Sequence, residues 1–266
     1  MNTKTHRAKN GGADQYFTRP ADAAALIKLT KKFAPTGATW VEPSAGAGAF
    51  LAHAPHAVGY DLHPQHAGIV KLDWLTTKAL DTVAALGAPV VVFGNPPFGF
   101  AASLAIKFFN QAALMGAETI AFILPASFKK ASVHRRLHKC YTLRAEVSAT
   151  LEFDFPDGGS KKVPCVSQVW TRGKARVDAP ADNGKGLPIE FVSKDEATLA
   201  IRRVGGRAGQ VLDGIDYSAS TTFFIKCALT TAARIRRLDL TVGVNDTAGV
   251  RSLAKSELCA RLRGAL

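Results

Sequence analysis

Hydrophobic positions along the chain fall into two recurring patterns, and the two alternate. Short unbroken runs rich in β-branched and aromatic residues read as buried strands: Thr39-Trp40-Val41, Ala57-Val58-Gly59-Tyr60, Pro89-Val90-Val91-Val92-Phe93 and Thr119-Ile120-Ala121-Phe122-Ile123-Leu124. Between them, apolar residues recur at helical spacing. Ala24, Leu26, Ile27, Leu29 and Phe33 form one stripe in a helix opened by Pro20; Leu104, Ile106, Phe108, Phe109, Ala112 and Leu114 form another within Ala101–Met115, closed by Gly116. Strands alternating with helices predict an α/β fold, a doubly wound and mostly parallel sheet. Such a sheet binds ligands at the carboxyl ends of its strands. Gly46, Asp61, Asp73 and Asn95 all fall there.

Later segments change the pattern. Leu151–Phe155 and Val163–Trp170 predict an antiparallel hairpin across a flexible turn, and the glycine- and proline-rich stretch 172–188 reads as a linker or loop. Beyond it, Thr222–Lys226 reads as a strand, and Ala228–Leu238 and Ser252–Leu262 as amphipathic helices. The expected organisation is a basic tail over 1–14, a catalytic core over 15–171, and a small basic extension over 189–266 with substrate binding as its candidate role.

Composition narrows the partner. The chain has 266 residues, enough for one large domain with an appendage, and its net charge of +13 with pI near 9.8 points to a polyanion, most simply nucleic acid. Cys140, Cys165, Cys227 and Cys259 show no paired spacing and no histidines at ligand distance, so no metal site is expected. No apolar run reaches membrane-spanning length and the first dozen residues are polar, so a cytoplasmic protein without membrane association is expected.

The candidate chemistry sits in the loops. Glu42-Pro43-Ser44-Ala45-Gly46-Ala47-Gly48-Ala49-Phe50 follows a strand with small residues that let backbone approach a ligand, and Phe50 near the third glycine position of a dinucleotide loop argues against NAD. Asp61, 19 positions after Glu42, stands where a ribose hydroxyl pair would be held. Asn95-Pro96-Pro97-Phe98 follows the strand ending at Gly94. Its two prolines fix two φ angles and remove two donors, leaving the Asn95 amide and the Asn95 and Pro96 carbonyls as rigid acceptors for a planar amino group beside an aromatic face.

Asn-Pro-Pro-Phe after a hydrophobic strand resembles the catalytic motif of S-adenosylmethionine-dependent adenine-N6 methyltransferases. Glu-Pro-x-Ala-Gly-x-Gly-x-Phe is similar to that family's first motif, and the order of motifs is that of its gamma class in a compact phage- or plasmid-like form. The resemblance spans about Gln15 to Trp170 and is faint beyond. It implies a Rossmann-like methyltransferase sheet with a C-terminal antiparallel hairpin, S-adenosyl-L-methionine as cofactor and S-adenosyl-L-homocysteine as product. It also implies that Asn95, Pro96, Pro97 and Phe98 are catalytic, and that the cofactor is held by Tyr16, Phe17, Thr18, Glu42, Ser44, Gly46, Gly48, Asp61, Asp73 and Trp74. Spacing alone favours Thr18 as a helix cap and Trp74 as core. The implied substrate is adenine in nucleic acid, DNA before RNA, taken out of the stack for methylation.

For substrate contact the sequence offers Phe155, placed where some members set a second aromatic against the base, and the acid-free run Lys129–Arg144 with Lys129, Lys130, Arg135 and Arg136. Arg202, Arg203 and Arg207, interleaved with glycines, are the equivalent in the extension. There is little room for the large target-recognition domain that sequence-specific DNA enzymes of this motif order usually carry. The alternatives are an RNA adenine-N6 enzyme, a protein-glutamine N5 methyltransferase, whose Asn-Pro-Pro is usually followed by tyrosine, and a non-catalytic nucleic-acid-binding protein.

Overall fold

The computed structural model describes residues 16–87, 89–155, 158–178, 180–244, 246–247 and 250–266; the expected basic tail and the tip of the expected hairpin turn lie outside them. The chain forms two compact units, one reaching to Val177 and one formed by Asp178–Leu266.

The first unit is built on a seven-stranded sheet. Its elements are α1 (Pro20–Thr30), β1 (Thr39–Glu42), β2 (Val58–Asp61), β3 (Ile69–Lys71), α2 (Thr77–Ala84), β4 (Val90–Gly94), α3 (Ser103–Leu114), β5 (Thr119–Pro125), the single turn α4 (Ala131–His134), β6 (Tyr141–Asp154) and β7 (Ser160–Arg172). The strand order is β3-β2-β1-β4-β5-β7-β6. Strands β1 to β5 pair in parallel; β7 runs antiparallel between β5 and β6. Every residue of β4 and β5 is buried, as expected for strands covered on both faces. Phe109, Tyr141, Trp170 and Phe128 pack in the core against Val92, Phe122 and Leu124.

Three local features shape this unit. The segment after the glycine loop makes only a 3-10 turn, Leu51–His53, and no α-helix. The hairpin is far longer than its hydrophobic run, with β6 beginning at Tyr141. The basic run is therefore no single helix face. It divides among the 3-10 turn Ala126–Lys129, α4 and the start of β6, because Tyr141 buries its ring and donates its hydroxyl to Ala117 O.

The second unit has its own four-stranded antiparallel sheet, ordered β10-β9-β11-β8 from β8 (Glu190–Phe191), β9 (Leu199–Arg202), β10 (Val211–Leu212) and β11 (Thr222–Lys226). Its core joins Leu199, Ile201, Phe223 and Ile225 to Ile235 of α5 (Leu229–Ile235) and to Leu258 and Leu262 of α6 (Lys255–Arg263). It carries 13 Lys and Arg against 10 Asp and Glu, whereas the stretch up to Val177 carries 21 against 11. Most of the positive charge thus belongs to the first unit.

Candidate active site

Strand order reverses between β1 and β4, so the connections leaving these strands diverge and open a crevice at their carboxyl ends. A cavity of about 680 Å³ fills it. Its wall is made by Glu42 to Phe50 after β1, Asp61, Leu62, His63 and Gln65 after β2, Leu72 to Leu75 after β3 and Asn95 to Phe98 after β4. Tyr16, Phe17 and Thr18 close one side, and Leu104 and Phe108 of α3 another.

The glycine loop is shaped by two left-handed residues, Gly46 at φ 50° and Gly48 at φ 85°. Asp61 ties it to β2: its carboxylate accepts from Gly46 N at 2.8 Å and from His63 N at 2.7 Å. Spare lone pairs remain on both oxygens. Asp73 is exposed on the wall and accepts from Leu75 N at 3.0 Å. Trp74 lines the cavity but is core by its contacts, 1% exposed with its indole N–H donating to Phe108 O.

Glu42 is the unusual group. It is 1% exposed, and its Oε2 has no hydrogen-bond partner among the described residues. Burial, and secondarily the charge of Asp61, pushes the carboxyl up to about 8. Gly94 leaves room for it, since a Cβ there would stand 3.1 Å from Glu42 Cγ. An unpaired buried acid facing a cavity is costly unless a partner arrives.

The Asn-Pro-Pro-Phe loop is held from two sides. Ser44 Oγ donates to the Asn95 carbonyl at 3.0 Å, and Asn95 Nδ2 donates to Thr18 Oγ1 at 3.1 Å. That leaves Asn95 Oδ1 buried without a partner among the described residues. Thr18 therefore does not cap α1, whose N-cap is Arg19 without a side-chain bond. It reaches Asn95 because its segment is clipped to the end of β6: Phe17 and Asp154 exchange both backbone bonds, and the Arg19 guanidinium binds Asp154 and Glu152.

Aromatic rings finish this end of the cavity. Phe98 meets Phe153 edge-on with centroids 6.3 Å apart, and Tyr16 meets Phe153 at 6.0 Å and Phe155 at 5.2 Å. Phe155 thus touches the wall through Tyr16 and is not itself part of it. Phe153, absent from the residues expected from sequence, is the ring that joins Tyr16 to Phe98 behind the wall; Leu62, Leu104 and Phe108 line the wall itself and were likewise not expected. Leu104 and Phe108 carried a signal, being four apart on one helix face.

No family model and no curated protein matches the chain. Among solved structures it is similar to a protein of Pyrococcus horikoshii provisionally named an RNA methyltransferase, at 15% identity and TM-score 0.45 over 60% of this chain and 88% of that one. It is also similar to a SAM-dependent methyltransferase of Anabaena variabilis, at 12% identity and TM-score 0.42 over 63% of this chain and 91% of that one. A third is the modification subunit of a provisionally named type I restriction enzyme of Vibrio vulnificus, at 15% identity and TM-score 0.42 over 65% and 47%.

The basic residues are placed elsewhere. Lys129, Lys130, Arg135 and Arg136 belong to the first unit but not to the cavity wall. In the second unit, Arg202 donates to Thr221 Oγ1 at 2.7 Å and lies over the Tyr217 ring, Arg203 lies over Phe223, and Arg207 donates to Gln210 Oε1 at 3.0 Å. Among the described residues no helix is long and apolar enough to cross a membrane, and no three His, Cys, Asp or Glu side chains gather as a metal site.

Proposed function

We propose that the protein is an S-adenosylmethionine-dependent methyltransferase acting on the exocyclic N6 amino group of adenine in nucleic acid, DNA in preference to RNA. The observation that carries this reading is the buried, unpartnered Asn95 Oδ1, a fixed acceptor at the switch point of a doubly wound sheet. The cavity suits the cofactor on independent grounds. Glu42 offers an unpaired carboxyl for an ammonium, Asp61 has lone pairs for a ribose, and Gly46 and Gly48 keep side-chain bulk off the ligand.

Bound there, S-adenosylmethionine supplies an electrophilic methyl on a sulfonium and leaves as S-adenosylhomocysteine. The chain's own task is the amino group. An adenine N6 lone pair is delocalised into the ring, and hydrogen bonds from N6–H to Asn95 Oδ1 and the Pro96 carbonyl would draw it out and aim it. Ser44 already donates to the Asn95 carbonyl, so Asn95 Oδ1 and the Pro96 carbonyl are the acceptors assigned to N6. Phe98 provides the stacking face that helps offset taking the base from its stack. The proton that N6 must give up on taking the methyl is the one directed at Asn95 Oδ1, and it would pass to solvent. No covalent nucleophile is needed.

Asn95→Ala tests the assignment. It should keep cofactor binding, measured by calorimetry, and lose methyl transfer by about 100-fold or more. Near-normal turnover in that variant would sink it.

A further inference from the structure

Among the described Phe, Tyr and Trp residues one side chain stands in solvent: Phe100, 83% exposed. Along the chain it lies between two residues of the cavity wall, Phe98 and Leu104. The backbone that carries it is unusual. Gly99, Ala101 and Ala102 all take left-handed conformations, with φ of 69°, 50° and 62°. Two of the three are alanines, which gain nothing from that region. Phe98 O accepts from both Leu104 N and Ala105 N, and a Cβ on Gly99 would come within 2.8 Å of Leu104 Cγ. The loop is thereby drawn tight against α3, its first ring turned to the cavity and its second ring outward.

An exposed ring held on a strained turn beside a reaction cavity is a local inconsistency of the kind that marks a binding element. Charge selects the occupant. The unit that presents Phe100 carries 21 Lys and Arg against 11 Asp and Glu, which suits a polyanion whose bases offer flat faces. We propose that Phe100 is a stacking platform for the nucleobase next to the acceptor adenine, holding the neighbour in place while the acceptor occupies the cavity. This rests on the nucleic-acid reading of the site. It assigns Phe98 to the reacting base and Phe100 to its flank.

The test compares wild type, Phe100→Ala and Phe100→Trp on short single-stranded oligonucleotides containing one adenine, in DNA and RNA form. Each is made with ordinary flanking bases and with abasic flanks. Methyl transfer is read by nucleoside mass analysis and oligonucleotide affinity by fluorescence anisotropy. With ordinary flanks, Phe100→Ala should raise KM and weaken affinity roughly tenfold or more, and Phe100→Trp should restore both. With abasic flanks, wild type should fall to the level of Phe100→Ala. Cofactor affinity should be the same in all three proteins. A KM no higher than wild type with undiminished affinity in Phe100→Ala, or a loss of equal size on abasic flanks, would overturn the proposal while leaving the methyltransferase reading intact. Failure of wild type to bind or methylate any oligonucleotide would overturn that reading and this one with it.

Discussion

Replacing Glu42 by glutamine removes a titration that the wild-type fold cannot avoid. The carboxyl is 1% exposed and its Oε2 is unpartnered among the described residues; burial, then Asp61, holds it near 8 against 4.5 for an ordinary glutamate. Below about pH 4.5 the group is neutral in both folded and unfolded chains, and its contribution to stability is fully present. As pH rises the unfolded chain gives up this proton first. The folded chain retains it until pH passes about 8, so stability is lost across that window. Integrated from pH 5 to pH 9, the loss is about 4 kcal/mol. Glutamine has the size of the neutral acid and does not titrate, so every other group cancels in the difference. Urea unfolding followed by tryptophan emission suits the measurement, because Trp40, Trp74 and Trp170 all lie in the unit that holds Glu42. Wild type and Glu42→Gln should be of similar stability at pH 5, and the variant more stable by several kcal/mol at pH 9. A difference independent of pH would mean that Glu42 does not hold its proton above the ordinary glutamate range in the folded chain.

If a cofactor ammonium pairs with Glu42, binding must ionise it: at pH 7, calorimetry in buffers of different ionisation heat should find about 0.9 proton released per S-adenosylmethionine in wild type. Glu42→Gln should release almost none; equal release from both proteins would remove Glu42 from the ammonium site. Thr18→Val deletes the acceptor for Asn95 Nδ2 and lets the amide turn. Its kcat should drop roughly tenfold or more, with Thr18→Ser recovering most of it, whereas a kcat equal to wild type would mean the amide is oriented without Thr18. In the second unit, Gly209 sits at φ 86° with Leu240 O only 2.3 Å from where a Cβ would be. Gly209→Ala should cost more than the ~1–2 kcal/mol of a left-handed alanine alone, and an unchanged melting temperature would count against the packing described.

The sheet and its cavity were legible because local pattern and topology agree. Unbroken apolar runs marked β4 and β5, and three sequence features of the site, the glycine loop, Asp61 and Asn95, lie at strand ends on the cavity wall. What could not be read depends on distant partners. Thr18 and Asn95 are 77 positions apart, and only the clip of Phe17 and Arg19 onto Asp154 brings them together. The first residues of β6 do alternate, with Tyr141, Leu143 and Ala145 less exposed than Thr142 and Arg144, but in this edge strand residues 146–150 are exposed on both faces, so the pattern breaks before Leu151–Phe153. Ala101 and Ala102 carry no side-chain signature of a left-handed turn; the expected helix lost its first residues there, and α3 starts at Ser103. Nor does sequence tell that Trp74 spends its N–H on Phe108 O inside the core.

The most direct test is transfer of labelled methyl from S-adenosylmethionine to duplex DNA, single-stranded DNA and total RNA in parallel, followed by nucleoside mass analysis. The account predicts N6-methyladenine, in DNA above RNA, and its loss in Asn95→Ala. Label appearing in protein, or no label in any nucleic-acid pool while cofactor is bound, would contradict it.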